Sequence, residues 1–124
     1  HAILNLNKSG FPNSKIFLLG FSQGACLAME FIIRQEFSLG GIIPIAGFIG
    51  KKDRFKSDIV DGAQDTPVLL IHGSRDEMVL PEEGEIAFEL FSDAGFKVQL
   101  QTPPVGHKIP LQKKDIIEKF ISEK

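Results

Sequence analysis

The chain has 124 residues, one cysteine and a formal net charge of −2, with no block of like charge. The length suits one domain with a real core, and the charge gives no support to nucleic acid or an anionic membrane surface as a partner. The single cysteine, Cys26, excludes an internal disulfide and a cysteine-based zinc site, and no apolar run approaches the ~20 residues of a membrane-spanning helix. Nothing in the chain calls for a cofactor or a metal. Hydrophobic residues make up 43% and charged residues 24%, as in ordinary soluble proteins. Eleven Phe with no Trp or Tyr supply aromatic area that carries no polar atom in need of a partner. The lone cysteine and the absence of a charged-then-apolar leader suit a reducing, cytoplasmic setting. A start at His1 without Met reads as a fragment or a processed product.

His1 to Lys8 carries Ile3, Leu4 and Leu6 on a weak helical period, and Gly10 and Pro12 stop it. Lys15 to Phe21 reads as a strand apolar on both faces, the mark of a buried parallel strand. A helix follows from Gln23 to about Phe37, with no Gly or Pro between Ala25 and Glu36. Leu39 to Gly47 is a second strand, although Pro44 lacks a ladder donor. Phe48 to Thr66 is polar and irregular, a surface loop. Pro67 to His72 is the clearest strand, and Gly73 to Leu80 is a loop.

Pro81 opens the next helix at its first position, with Glu82 and Glu83 on the positive end of the dipole. Ile86, Leu90 and Phe91 line its inner face and Gly95 closes it. Lys97 to Gln101 alternates polar and apolar, as a half-buried strand near an edge does. After the loop Thr102 to Ile109, Pro110 starts a last helix with Ile117, Phe120 and Ile121 on one face. Strands alternating with helices mean an α/β fold with a parallel sheet.

Gly20-Phe21-Ser22-Gln23-Gly24 is a G-x-S-x-G pattern between a strand and a helix, the context of a nucleophile elbow. A strained turn there lifts the serine hydroxyl clear of the sheet. Gly20, Gly24 and the small Ala25 permit close approach of strand and helix. The helix N-terminus offers backbone N–H groups beside the hydroxyl, and the Gln23 N–H is the candidate oxyanion donor. Taken alone, Ser22 reads equally as an N-cap serine of a βα turn.

A serine hydroxyl needs a base, and the base an orienting carboxylate. In α/β sheets such groups come from loops after the strands. Asp76 lies in the loop after the third strand and His107, behind Gly106, in the loop after the fourth. The chain order Ser22, Asp76, His107 is the order of α/β hydrolases. Each also has a plainer reading: Asp76 as an Asx-turn aspartate and His107 as a surface histidine. Glu77 is the local rival acid. His72 is the rival base, at a strand end where a packed or backbone-bonded histidine is the simpler reading. His1 is terminal, and Cys26 reads as a small buried hydrophobe.

With these residues in view, the chain resembles the phospholipase/carboxylesterase family of α/β hydrolases, which includes the acyl-protein thioesterases. The resemblance rests on Gly20–Gly24, on Ile45-Ala46-Gly47-Phe48-Ile49 (with Ala46 where the family has Ser), on Leu70–Gly73 followed by Asp76, Val79 and Pro81, and on Gly106-His107-Lys108-Ile109. It implies Ser22 as nucleophile, Asp76 as acid and His107 as base, acting on carboxylic esters or thioesters of short or medium acyl groups. Dienelactone hydrolases, near relatives, use Cys at the elbow, which Ser22 speaks against.

The chain resembles only the C-terminal half of that fold: about four parallel strands with helices on both faces, residues 1–124 forming one incomplete domain. The family's upstream strands and second oxyanion donor have no counterpart in it, and Thr102-Pro103-Pro104-Val105 replaces a tyrosine-containing lead into the base loop. The strand at Lys15–Phe21 then becomes an apolar edge, which implies a homodimer or another association through it. The competing expectation is an inactive fragment serving only as an assembly or binding module.

Overall fold

A computed structural model describes residues 10 and 12–123, so the helix expected over His1–Lys8 lies outside the described residues. Strands β1 (Phe17–Phe21), β2 (Gly41–Ile45), β3 (Val68–Ile71) and β4 (Val98–Gln101) form one sheet in the order β1-β2-β3-β4. Every pairing is parallel. The helices are α1 (Gln23–Ile32), α2 (Phe55–Asp58), α3 (Pro81–Asp93) and α4 (Lys114–Ser122), with short 3₁₀ turns at Asn13–Lys15, Lys52–Arg54, Ala63–Asp65 and Leu111–Lys113.

The apolar runs of β2 and β3 are buried along their whole length, because each side of the sheet is covered. On one face Met29 and Ile32 of α1 and Ala87 and Phe91 of α3 pack with Ile42, Val68 and Leu70. On the other, Phe120 of α4 packs with Ile43, Ile45, Leu69 and Ile71, flanked by Phe17, Phe21, Ile116 and Ile117. Phe91 anchors the first core with two edge-on rings, Phe55 at 5.0 Å and Phe96 at 4.9 Å between centroids. Such pairs add about 0.5–1.5 kcal/mol each beyond their buried area.

Pro44 sits inside β2 opposite Gly20 and is tolerated. Successive N–H groups of a strand point to alternate neighbours. Ile42 N–H reaches Pro67 O at 3.0 Å and Ala46 N–H reaches Ile71 O at 2.9 Å, so Pro44 omits one rung toward β3 between two intact ones.

Four expectations differ from the structure. α1 ends at Ile32, not Phe37, since the Ile33 carbonyl is taken by Val60 N–H at 2.9 Å. The stretch Phe48 to Thr66 is not a plain surface loop. It holds α2 and two 3₁₀ turns, and buries Ile49, Phe55 and Ala63, with Arg34, just past α1, bridging to Asp58 at 3.2 Å. The inner face of α3 is Gly84, Ala87 and Phe91; Ile86 is only half-buried. On α4, Ile121 is exposed and Ile116 takes its place against the core.

The register of the sheet aligns the strand ends. Phe21 stands opposite Ile45, Ile45 opposite Ile71, and Ile71 opposite Gln101. All four strands therefore end level, and the loops that leave them emerge on one rim of the sheet.

Candidate active site

Ser22 is the first residue past β1 and the N-cap of α1, with φ 57° and ψ −115°. A side chain at positive φ costs on the order of 1–3 kcal/mol and must be held there by its surroundings. Ser22 N–H is anchored on Ile45 O at 2.8 Å, while its own carbonyl accepts from Ala25 and Cys26 in the first turn of α1. The turn is tight enough that a Cβ on Gly20 would strike the Gly24 carbonyl and come within 2.7 Å of Ala25 N. Gly24 itself faces open space, so Gly20 alone of the two glycines is demanded by the close approach of strand and helix.

The Ser22 hydroxyl makes no capping bond to its helix. It lies 3.0 Å from His107 Nε2 instead. His107 Nδ1 lies 2.8 Å from Asp76 Oδ2, across 31 residues of chain. The other oxygen, Asp76 Oδ1, accepts the Met78 and Val79 N–H groups, each at 2.9 Å. Three side chains from three post-strand loops thus form one hydrogen-bonded line. The tautomer is set by these contacts: Asp76 accepts from Nδ1–H, which leaves the Nε2 lone pair facing the serine O–H.

The two loops that carry Asp76 and His107 are laced together. Ser74 N–H donates to Pro103 O at 2.8 Å and Arg75 N–H to Val105 O at 3.0 Å. A Cβ on Gly73 would collide with Val105 O and come within 2.6 Å of Gly106 O, so glycine is what lets the base loop lie on the acid loop. The Phe21 ring, 5.0 Å from the His107 ring, backs the imidazole from the nucleophile side.

Asp76 is 2% exposed. Burial pushes its carboxyl up, but the hydrogen bond from His107, those from the Val79 and Met78 N–H groups and the His107 charge outweigh it, so the pKa lies below its ordinary value of 3.8. A carboxyl depressed on folding makes the unfolded chain bind more protons in that range. Its stabilisation is complete above the unfolded value of ~3.9 and is lost as pH falls through the lower folded value. Urea midpoints are therefore expected to drop on acidification below about pH 4, and Asp76→Asn to flatten that drop; an unchanged slope in the variant would assign the acid sensitivity to other carboxylates.

Of the alternatives, Glu77 is exposed. His72 is 2% exposed, and its Nε2 bonds Val79 O at 2.7 Å rather than facing Ser22. Cys26 is half-buried and accepts the Phe48 N–H at 3.4 Å. Gln23 is the first residue of α1 and is exposed. Its N–H has no acceptor among the described residues, as is usual in the first turn of a helix. The simpler reading of His72, a packed and backbone-bonded histidine, is the one the structure shows; the backing of His107 by Phe21 had no signal in the sequence.

An open cleft of about 260 Å³ is lined by Phe48, Met78, Val79, Leu80 and Glu83, of which Met78 and Val79 also donate to Asp76. Phe48, Met78 and Leu80 are 41%, 77% and 57% exposed, and Lys52 pairs with Glu83 at 2.9 Å on its border. Among the described residues no helix is long and apolar enough to cross a membrane.

A family model described as phospholipase/carboxylesterase matches residues 2–124. The carboxylesterase SOBER1 of Arabidopsis thaliana is 29% identical over 126 residues, covering 100% of this chain and 55% of its own length. Acyl-protein thioesterase 1 homolog 1 of Dictyostelium discoideum is 30% identical over 120 residues, covering 95% of this chain and 52% of its own. The crystal structure of Arabidopsis SOBER1 superposes with a TM-score of 0.89 at 30% identity, over 99% of this chain and 60% of that one. Esterase PE8 superposes at 0.86 and 32% identity, over 98% and 55%. The chain spans about half the length of the curated relatives it matches.

Proposed function

The chain belongs to the phospholipase/carboxylesterase family of α/β hydrolases, and from that premise we propose that it carries the chemistry of a serine hydrolase of carboxylic esters or thioesters. The observation that carries this reading is the Ser22 hydroxyl, denied to its own helix and set 3.0 Å from His107 Nε2 with Asp76 behind. Ser22 Oγ attacks the acyl carbon as its proton passes to His107 Nε2. The developing oxyanion is met by the Gln23 N–H and the dipole of α1. His107 returns the proton to the departing alcohol or thiol, and the acyl group stays on Ser22. Water then attacks the acyl carbon and gives its proton to His107, which passes it to Ser22 Oγ as the acyl–oxygen bond breaks, releasing the acid and restoring both residues. Asp76 holds the imidazole in the Nδ1–H form and stabilises its cation.

Acyl groups are favoured by the apolar cleft of Phe48, Met78 and Leu80, which a short or medium chain would cover. The half-buried Cys26, held as a thiol acceptor, fits a reducing, cytoplasmic setting. The test is labelling of the chain by a fluorophosphonate probe, with Ser22→Ala as control. A folded chain that stays unlabelled would favour the second reading, an assembly or binding module.

The outer edge of β1 has no strand beside it among the described residues, and Leu19 there is 51% exposed. Open apolar edges pair with other strands. The isolated chain is expected to associate through this edge as a homodimer; a clean monomer in gel filtration at micromolar concentration would count against it.

A further inference from the structure

The acid loop leaves β3 at His72 and returns at Val79, and the side chain that opens it also closes it. His72 Nε2 lies 2.7 Å from Val79 O. A carbonyl only accepts, so Nε2 carries the proton and donates it. The N–H of the same Val79 donates to Asp76 Oδ1 at 2.9 Å. Val79 is thus gripped at both ends of its backbone, by the carboxylate on one side and the imidazole on the other. His72 is itself immobilised: its N–H bonds Gln101 O at 2.9 Å, and its ring lies against the start of α3, where a Cβ on Gly84 would sit 2.9 Å from His72 Cβ and 3.2 Å from Nδ1. Its Nε2 is 3.6 Å from Asp76 Oδ2, beyond hydrogen-bond reach, so the hydrogen-bonded link from His72 to the carboxylate runs through Val79.

We propose that His72 is a positioning residue: by donating Nε2–H to Val79 O it closes the acid loop and sets the Asp76 carboxylate at the distance His107 requires. This deepens the proposed hydrolase reading and rests on it for its catalytic consequence, though not for its structural one. Without the donor, Val79 O is left unpaired and the loop is free to shift. A displacement of about 1 Å in a catalytic constellation costs about 10²-fold in rate.

The test compares His72→Gln, whose amide nitrogen falls near the Nε2 position, with His72→Phe, which keeps a ring but has no donor. His72→Gln is expected to hold kcat for a p-nitrophenyl ester within about threefold, and His72→Phe to lower it about 10²-fold with KM little changed. A residue that merely fills space predicts the reverse ranking. A second readout needs no substrate: the low-field proton resonance of His107 Nδ1–H, bonded to Asp76, is expected to persist in His72→Gln and to be lost in His72→Phe. If His72→Phe does not fold, His72→Asn, whose amide stops short of Val79, takes its place. Equal kcat and equal resonance in the Gln and donor-free variants would overturn the proposal, as would a His72→Gln chain that is unfolded or as impaired as its partner. If the unmodified chain neither labels nor turns over, the hydrolase reading fails, and the resonance alone decides the role of His72.

Discussion

Ser22→Ala is expected to lower kcat for an activated ester by about 10⁶-fold, to the residual level that binding and oxyanion contacts supply. Stability should stay within about 0.5 kcal/mol. The two halves of this expectation have one cause. The Ser22 hydroxyl gives nothing to its helix; it makes no cap bond, and among the described residues its single side-chain partner is His107. The strain of the turn lies in the backbone at φ 57°, and alanine can occupy such a backbone, as Ala46 does at φ 59°. An ordinary N-cap serine would behave oppositely. Its loss would cost about 1 kcal/mol and leave any hydrolysis intact. Urea unfolding and steady-state kinetics on the same preparation separate the two; a stability loss with activity retained would remove Ser22 from the chemistry.

Asp76→Asn is expected to cost about 10⁴-fold in kcat although it changes only one heavy atom of the side chain. The reason lies in the fixed donors around the carboxylate. Oδ1 accepts the Met78 and Val79 N–H groups, so an asparagine there must turn its carbonyl oxygen toward them. Its NH₂ then faces His107 Nδ1, which has to accept. The proton moves to Nε2, the imidazole presents N–H to the Ser22 oxygen, and it can no longer take the serine proton. Carboxylate charge behind the imidazole is lost as well. The measurement is kcat beside the fraction of sites labelled by a fluorophosphonate. Activity within about tenfold of the unmodified chain would mean that another group orients His107, with Glu77 first in line.

Both effects depend on the level strand ends. Ser22, Asp76 and His107 belong to loops separated by whole helices, yet the register Phe21–Ile45–Ile71–Gln101 brings the loops to one rim. The sheet fixes where each loop starts, and the backbone bonds from Ser74 to Pro103 and from Arg75 to Val105 then lock acid loop to base loop. The acid loop leaves the fully buried β3, and the base loop, on the partly buried outer strand β4, is held to it by those backbone bonds.

The parallel α/β architecture, the elbow and the three residues of the hydrogen-bonded line were all legible from residue order. Their signals are local: apolar runs of strand length, Gly20 where strand and helix approach, a serine before a helix, an aspartate and a histidine soon after strand ends. Local chemistry of this kind survives in a single sequence, because the residues that need it cannot be exchanged without steric or electronic cost. What tertiary contact alone decided is everything that depends on which groups meet. α1 stops at Ile32 because a distant N–H, that of Val60, takes the Ile33 carbonyl. Phe55 turns a polar stretch into part of the core because Phe91 is waiting for it. His72, rival base by position, faces Val79 and not Ser22 because the loop folds back over it. A hydrogen-bonding group takes whichever partner the fold brings within about 3 Å, and that choice is made between residues far apart in the chain.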